Sequence, residues 1–369
     1  MKVLYISRDL THMYFHLQYL KELINDGNEV HIACEINKDT NDFVSEGIKL
    51  HNIEFERAAI TLKHKRAYNQ LKDLYKKENF DIIHCNTPIA AFIARLAARK
   101  ESAKVIYTAH GLHFFKGAPL ANWIIYYPLE KIAAKWTDSM ILINKEDYEI
   151  VKSKFKLRNA GNVFYINGVG IKPDIFLLKN KEDISLKRKE LNIKESDLVI
   201  SIVAELNDNK NQIQLLKAIN KSKHKDNIKV LVVGEGKKES ELKEFVKENN
   251  LNNIEFLGYR RDIPQILSVS DILSLVSKRE GLPKSVMEGM ASSLAILGTN
   301  TRGIRDMIRD GENGFIVEVG DYIELSKKID KLFEDKVLLS NMKSRSLELS
   351  KEYDEKRIIK RLKDIYKEL

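Results

Sequence analysis

Short apolar segments of strand length alternate with amphipathic segments along most of the chain, and this alternation restricts the fold more than any other feature. Helical periodicity fills much of the sequence between the apolar segments, for example at residues 15–26, 64–79 and 89–99. Alternation of this kind is typical of parallel βαβ units. In the first half, the expected strands are residues 3–7, 29–34, 49–55, 81–86, 104–110, 139–144 and 163–167.

The second half repeats the pattern, and a charged helical tail from about residue 321 to residue 369 closes the chain. A length of 369 residues exceeds the size at which one hydrophobic core stops growing, so two domains are expected. Two glycines and a proline within residues 167–176 predict a hinge between them. The expected strands of the second half are residues 198–204, 228–234, 254–258, 272–277, 295–299 and 314–319.

We therefore predict an α/β protein with two Rossmann-like, parallel-sheet domains that face each other across a cleft. The first domain is expected at residues 1–168, with the terminal helix at about 352–369 packed back on it. The second is expected at residues 169–351. In open parallel sheets, ligands bind beyond the carboxyl ends of the strands, so both domains should present loops to the cleft.

The composition is that of a folded soluble protein, with 43% apolar and 31% charged residues. No segment approaches the roughly 20 consecutive apolar residues that a membrane-spanning helix needs. The expected strand at residues 3–7 leaves no room for a signal peptide, which predicts a cytoplasmic location. Cys34 and Cys85 lie in apolar, strand-like segments and are expected to be buried free thiols.

The net charge of +9 is moderate, and no nucleic-acid recognition motif accompanies it, so a nucleic acid partner is not expected. An anionic membrane surface and phosphorylated ligands explain the charge equally well.

The strongest chemical signal is the segment SKREGLPKSVMEGMA at residues 277–291. A strand ends near its start, a loop follows, and Pro283 is expected to open a helix at its first turn. Free backbone N–H groups around Leu282 to Ser285 would form a cradle for a diphosphate. Glu280 in the loop and Glu288 on the helix are separated by seven residues, so one carboxylate can reach a sugar and the other a ribose. For an isolated pair, one solvated and one capping acid would be the ordinary explanation.

Residues 280–291 resemble the E-x7-E motif of retaining family 4 glycosyltransferases, which have the GT-B fold. Segments at residues 203–212, 232–242, 256–263 and 301–317 follow in the order expected of that family. The first half resembles a bacterial capsule and exopolysaccharide subgroup at residues 15–33, 84–98, 107–119 and 122–131. The resemblance covers nearly the whole chain.

The resemblance implies a role for each matching residue. Glu280 would contact the donor sugar, Glu288 the ribose, and Lys210 the diphosphate leaving group, whose developing charge a cation stabilises. Pro283 would contribute shape, because proline has no N–H. The remaining donor-binding candidates are Asn209, Gly234, Tyr259, Arg260, Gly281 and Leu282.

Histidines supply the other candidates. His110 ends an expected strand, and a matching histidine in the family is proposed to touch the donor sugar, so the predicted catalytic set is His110, Glu280 and Lys210. His12, His16 and His113 are weaker candidates for acceptor binding. No DxD-like acidic pair stands at a strand end, so we expect neither a catalytic metal nor any other cofactor.

Two positions depart from the family. Glu205 lies where many relatives have an arginine, and Arg260, Arg261 or Arg279 are the candidates to compensate. Residues 10–16 replace a glycine-rich turn with bulkier side chains, which predicts an altered acceptor site.

The implied reaction is transfer of a sugar, with retention of configuration, from a nucleotide donor (UDP in the first place) to a polyprenyl-diphosphate-linked or other glycan acceptor. A non-catalytic scaffold for glycan assembly and a nucleotide-sugar 2-epimerase are the alternatives.

Two segments predict peripheral contact with the inner membrane surface. Residues 57–66 contain Arg57, Lys63, Lys65 and Arg66 without an acid. Residues 113–131 place aromatic side chains beside Lys116, which suits the lipid headgroup layer. Packing of these aromatics in the core is the alternative. The aromatic residues concerned are Phe114, Phe115, Trp123, Tyr126 and Tyr127.

Overall fold

The computed structural model describes residues 1–56, 61, 64–177 and 180–369. They form two compact units, the first made of residues 1–169 and 358–369 and the second of residues 170–357. Each unit contains one β-sheet whose neighbouring strands run parallel. The predicted α/β class, with two Rossmann-like sheets, is confirmed.

The sheet of the first unit has seven strands in the order β3-β2-β1-β4-β5-β6-β7. The strands are β1 (Lys2–Asp9), β2 (Glu29–Glu35), β3 (Lys49–Asn52), β4 (Ile82–Cys85), β5 (Lys104–Ala109), β6 (Ser139–Leu142) and β7 (Asn162–Tyr165). The helices are α1 (Leu10–Met13), α2 (Leu17–Asn25), α3 (Asn41–Val44), α4 (His64–Glu78), α5 (Pro88–Ala98), α6 (Leu120–Ala134) and α7 (Lys145–Lys154).

The sheet of the second unit has six strands in the order β10-β9-β8-β11-β12-β13. The strands are β8 (Leu198–Val203), β9 (Ile228–Val233), β10 (Ile254–Gly258), β11 (Ile272–Leu275), β12 (Ala295–Thr299) and β13 (Gly314–Val317). The helices are α8 (Lys181–Glu190), α9 (Gln212–Lys221), α10 (Glu239–Glu248), α11 (Ile263–Ser268), α12 (Lys284–Ala291), α13 (Ile304–Met307), α14 (Tyr322–Glu334) and α15 (Lys336–Ser350).

The central strands are largely apolar because both of their faces are buried. Along β8, Ile200 and Ile202 pack into one apolar cluster and Val199 packs into another, as alternation of side chains across a strand requires. This burial explains why the strands read as continuous apolar segments in the sequence.

The last helix, α16 (Glu355–Lys367), joins the first unit from residue 358 onward. Its Tyr366 hydroxyl lies 2.7 Å from His84 Nδ1, and Lys363 forms ion pairs with Glu22 at 3.1 Å and Asp26 at 2.8 Å. Residues 352–357 belong to the second unit instead. The Ile171 N–H donates to the Tyr353 carbonyl at 2.9 Å, which ties that stretch to the start of the second unit.

Two expected elements differ in detail. The helix expected at residues 15–26 is preceded by α1 and a short 3₁₀ helix, Tyr14–His16, because Asp9 caps an earlier start by accepting the His12 N–H at 3.2 Å. Pro283 is the N-cap residue of α12 rather than part of its first turn, since its backbone is extended.

Cys34 and Cys85 are buried free thiols, as predicted, and burial raises the pKa of each to about 12. Among the described residues, no helix is both long and apolar enough to cross a membrane.

Candidate functional site

Lys210 and Glu280 meet at the carboxyl edge of the second sheet. Lys210 follows β8 and Glu280 follows β11, and these two strands are neighbours. The Lys210 Nζ lies 2.7 Å from Glu280 Oε1, and the two side chains are 24% and 11% exposed. The structure thus joins two of the three predicted catalytic residues. An ammonium has three donors, so Lys210 can bind a second anion while it keeps Glu280.

Backbone contacts hold this pair in place. The Asn207 side-chain oxygen accepts from the N–H groups of Asn209 and Lys210, at 3.0 and 2.9 Å. The Lys278 N–H donates to the Asn209 carbonyl at 2.7 Å, and the Asn209 amide donates to the Arg279 carbonyl at 2.9 Å. Asn209 therefore acts as a clip between the loops that carry Lys210 and Glu280.

Helix α12 starts directly after this loop. Its first backbone N–H groups have no acceptor within the helix, as at any helix start, and they carry the positive end of the helix dipole. A Cβ on Gly303, whose φ is +76°, would lie 2.2 Å from the Gly281 carbonyl oxygen. A Cβ on Gly289 would lie 2.7 Å from Leu273 of β11. These close approaches fix the loop and the helix start relative to the sheet, where an anion can meet free N–H groups.

Glu288 lies on α12, and its side chain is 16% exposed. Burial raises the pKa of its carboxyl, while Lys284, at 3.7 Å, opposes that rise. It is thus a largely enclosed acceptor one turn into the helix, as a role in binding hydroxyl groups requires.

The other donor-binding candidates occupy different surroundings. Gly234 follows β9 with a φ of +132°, and a Cβ there would lie 2.1 Å from the Ala204 carbonyl oxygen, so only glycine fits. Tyr259 is 69% exposed. The Arg260 guanidinium contacts Asp262 at 2.6 Å and Glu190 at 2.9 Å, which makes it a poor replacement for a cation missing at Glu205.

Arg302 is a residue that the sequence prediction missed. It is 4% exposed, and its Nε donates to the Glu280 carbonyl at 3.1 Å. Its position three residues beyond β12, a neighbour of β11, is the signal that would have found it. A guanidinium from a later part of the chain therefore lies beside Glu280, while the ammonium of Lys210 comes from an earlier part.

The carboxyl edge of the first sheet carries a cluster of histidines near the Arg8–Asp9 ion pair. His110 follows β5, and its Nε2 lies 3.2 Å from the Asn86 side-chain oxygen, just beyond β4. Its ring is 4.8 Å from that of His12 and 5.3 Å from that of His16, measured between centroids. The structure thus joins His110 with two of the three predicted acceptor-binding histidines.

Burial keeps these three imidazoles neutral. It lowers the pKa of His12 to about 4, with Asp9 opposing the shift, and it holds the pKa values of His16 and His110 well below their usual range. Among the described residues, His12 Nδ1 and His16 Nε2 have no hydrogen-bond partner.

Among the described residues, two groups of side chains have the spacing to hold a metal ion. One ring nitrogen from each of His12, His16 and His110 lies within 4.8 Å of the others, and a second such group consists of Glu29, His31 and Glu78. The absence of a catalytic metal stays a prediction.

His113 lies apart from the histidine cluster, with its ring stacked on Tyr126 at 4.4 Å. Both residues line a polar pocket of about 530 Å³ together with Arg8, Asp9 and His12. The pocket is large enough for a glycosyl group, and its lining offers both hydrogen-bond donors and acceptors.

The expectation that aromatics of residues 113–131 lie in a lipid headgroup layer is wrong for Phe114, which is fully buried. Trp123, Tyr126 and Tyr127 are half-buried against the same core. The exposed apolar side chains of α6 are aliphatic: Leu120, Ile124, Ile125, Leu129 and Ile132. Arg57 and Lys63 lie outside the described residues.

Comparison with known proteins places this geometry in a family. Residues 183–348 match the family described as glycosyl transferases group 1, and residues 2–144 match the one described as glycosyl transferase 4-like. The putative glycosyltransferase EpsD of Bacillus subtilis is 35% identical over 95% of this chain and 92% of its own.

A second relative and a solved structure have more specific names. The Escherichia coli UDP-Gal:alpha-D-GlcNAc-diphosphoundecaprenol alpha-1,3-galactosyltransferase is 27% identical over 95% of this chain and 92% of its own. The crystal structure of Anabaena HepE in complex with UDP covers 100% of both chains with a TM-score of 0.82, and at 18% identity it shows a shared fold.

Proposed function

Because the chain belongs to the group 1 glycosyl transferases and is a hexosyltransferase-type enzyme, we propose that it moves a sugar from a UDP-linked donor to a lipid-diphosphate-linked glycan. The configuration of the transferred sugar is retained. The reaction serves capsule, exopolysaccharide or related surface glycan synthesis in the cytoplasm, at the inner face of the membrane.

The main support for the proposed donor site is the contact between Lys210 and Glu280 beside the start of α12. The Lys210 ammonium and the first N–H groups of the helix bind the diphosphate, and the guanidinium of Arg302 lies beside Glu280. Glu280 contacts the sugar, and Glu288 accepts hydrogen bonds from the ribose. Fixed cations of this kind stabilise the charge that develops on a leaving phosphate.

The configuration at the anomeric carbon is retained because the acceptor hydroxyl attacks that carbon from the same face that the diphosphate leaves. The acceptor hydroxyl oxygen forms a bond to the anomeric carbon as the bond from that carbon to the diphosphate oxygen breaks. The hydroxyl proton passes to an oxygen of the departing diphosphate, so no protein base is needed. No metal takes part, since Lys210 and the helix start provide the positive charge.

The acceptor half rests on the first unit and on the relatives. The name of the Escherichia coli enzyme specifies a diphosphoundecaprenol-linked acceptor, and the polar pocket beside His12 and His113 is of the size that a terminal sugar needs. His110, neutral and anchored to Asn86, is placed to hydrogen-bond a sugar hydroxyl.

Contact with the membrane would come from α6. Its exposed Leu120, Ile124 and Ile132 recur at multiples of four, so they form one stripe along the helix. Exposed Lys65 at the start of α4 would add attraction to anionic lipid, worth about 1 kcal/mol, whereas the neighbouring Arg66 is paired with Glu54 at 2.9 Å.

Vesicle sedimentation at graded anionic lipid content tests the membrane contact. Binding should rise with anionic lipid, and both the Lys65→Glu, Arg66→Glu double variant and the Ile124→Asp, Ile132→Asp double variant should weaken it. Binding that ignores lipid charge and survives both changes would refute this part of the proposal.

The reaction itself is tested by mass spectrometry of products from a panel of nucleotide sugars with a lipid-diphosphate-linked glycan. A glycan longer by one hexose, formed only with both substrates, is the expected product. Alteration of the UDP-sugar without acceptor would instead identify an epimerase. Binding of UDP-sugar without turnover on any acceptor would identify a scaffold.

A further inference from the structure

An apolar groove of about 660 Å³ runs along the outside of the first unit, between α4, α5 and α6. Phe92, Ile93 and Leu96 of α5 form one wall, and Ile125 and Leu129 of α6 form the other. A volume of this size is within the range of about 300–1,000 Å³ that is common for sites of small organic ligands. An exposed apolar recess of this kind is unusual unless something occupies it.

The groove is continuous with the polar pocket of the same unit. Pro88, Ile89 and Tyr126 line both. One continuous surface therefore passes from a polar recess that contains Asp9 and His12 to an apolar one. A ligand that fills both has a compact polar head at one end and an apolar chain at the other.

Charges along this surface favour an anionic ligand. Lys65 and Arg99 line the groove, while Arg8 in the polar pocket is paired with Asp9. The acid of the groove, Glu130, is paired with the buried Arg95 at 2.8 Å, so its charge is compensated within the protein. The lining thus has a positive balance toward a ligand.

We propose that the groove binds the isoprenoid chain of the acceptor while the terminal sugar of the acceptor lies in the polar pocket. The assignment rests on the proposed function, since it specifies how a lipid-diphosphate-linked glycan lies on the enzyme. The order of terminal sugar and isoprenoid chain in the acceptor matches the order of polar pocket and apolar groove along this surface.

Helix α6 offers a matched pair of double variants. Ile125 and Leu129 line the groove and are 43% and 38% exposed. Ile124 and Ile132 lie on the same helix, do not line the groove, and are 64% and 47% exposed. Ile125→Asp with Leu129→Asp removes the groove wall, whereas Ile124→Asp with Ile132→Asp makes the same chemical change beside it.

The test measures binding of three soluble probes to the full-length protein without donor or membrane: inorganic pyrophosphate, geranyl diphosphate and farnesyl diphosphate. The wild type should bind farnesyl diphosphate at least about tenfold more tightly than geranyl diphosphate, because the longer chain buries more apolar surface. The groove variant should lose this preference and keep its pyrophosphate affinity. The control variant should behave as the wild type.

Equal chain-length preference in the two double variants would overturn the proposal, as would equal loss of the preference in both. So would a wild-type dimer that the groove variant alone converts to monomers, since the groove would then be a subunit interface. Circular dichroism melting of both variants verifies that each is folded. The binding assay involves no sugar transfer. A negative binding result therefore does not contradict the proposed reaction, and a negative product assay does not contradict binding of the chain in the groove.

Discussion

The two units share a parallel sheet with loops at its carboxyl edge. Each edge contains an ion pair, Arg8 with Asp9 in the first unit and Lys210 with Glu280 in the second, but the surrounding side chains differ. In the second unit an ammonium and a carboxylate pair at 2.7 Å, with a guanidinium beside them. In the first unit three imidazoles cluster, and burial keeps them neutral. Fixed charge suits a leaving diphosphate, whereas neutral rings suit sugar hydroxyls, because they donate and accept without a net charge. Two units with the same kind of sheet thus present different side-chain chemistry at the same edge.

The largest effect is expected from removal of the Lys210 cation, on which the proposed difference between the two units depends most. Lys210→Met should lower kcat by about 100- to 1,000-fold, the usual cost of losing one preorganised group at a developing anion. It should also weaken UDP binding, which calorimetry measures. Lys247→Met, at an exposed site on α10, is the matched control and should change neither quantity. Normal turnover of the Lys210 variant would refute the role of this charge.

Substitution of Glu280, the carboxylate of the pair, is expected to lower the transfer rate less than substitution of Lys210. Glu280→Gln keeps the shape but loses a charge-assisted hydrogen bond, worth about 1.5–3 kcal/mol, so transfer should fall by about 10- to 150-fold. Glu288→Gln should have a similar effect through the ribose. The unfolding midpoint of each should stay close to that of the wild type. A large drop in the midpoint would show that either acid is mainly structural.

The neutral histidines of the first unit should make its stability depend on pH. His12 takes up a proton near pH 6.5 when unfolded but only near pH 4 when folded, so stability should fall as the pH drops from about 6.5 to about 4. Between pH 7 and pH 5 the loss from this residue is about 2 kcal/mol. His12→Asn should flatten the curve of unfolding free energy against pH. Thr11→Asn, beside it, removes no titrating group and should leave the curve unchanged.

We expect His110 of the first unit to contact the sugar, whereas Lys210 of the second unit contacts the nucleotide diphosphate. His110→Ala should reduce transfer by about two- to tenfold, as expected for one neutral hydrogen bond, and should leave UDP affinity intact. Calorimetry with UDP and a transfer assay, made on the same preparation, test both statements. Loss of UDP affinity comparable to that of the Lys210 variant would move His110 from the sugar to the nucleotide.

The smallest expected effect concerns metal. Treatment with EDTA should leave the transfer rate unchanged, because the positive charge of Lys210 and the helix start is part of the protein. Activity that EDTA abolishes and zinc restores would contradict this, and variants of His12 and His16 would then show whether their cluster holds the ion.

Local sequence predicted the elements well because each strand of a parallel sheet is a continuous apolar segment and each helix between strands shows its own period. Glu280 and Glu288 were found for the same reason, since a loop followed by a helix start is a local feature. Asp9 changed one boundary: a single side chain that caps α1 overrides the periodicity of the residues that follow.

Helix α6 shows where local pattern fails. It is apolar around much of its circumference, so its sequence cannot tell which side faces the core. Packing decided that Trp123 and Tyr127 lie against the core and that Ile124, Ile125 and Leu129 face outward. Because α6 packs this way, Ile125 and Leu129 line the apolar groove.

The sequence by itself determined the two parallel sheets and the loops that carry the chemistry. Only the tertiary structure decided which of those residues meet. Lys210 and Glu280 are 70 residues apart, and they touch because β8 and β11 are neighbours although two strands separate them along the chain. Arg302 joins them through β12, and His12, His16 and His110 converge through β1, β4 and β5 in the same way. Strand order is set by long-range packing, so no local pattern records it.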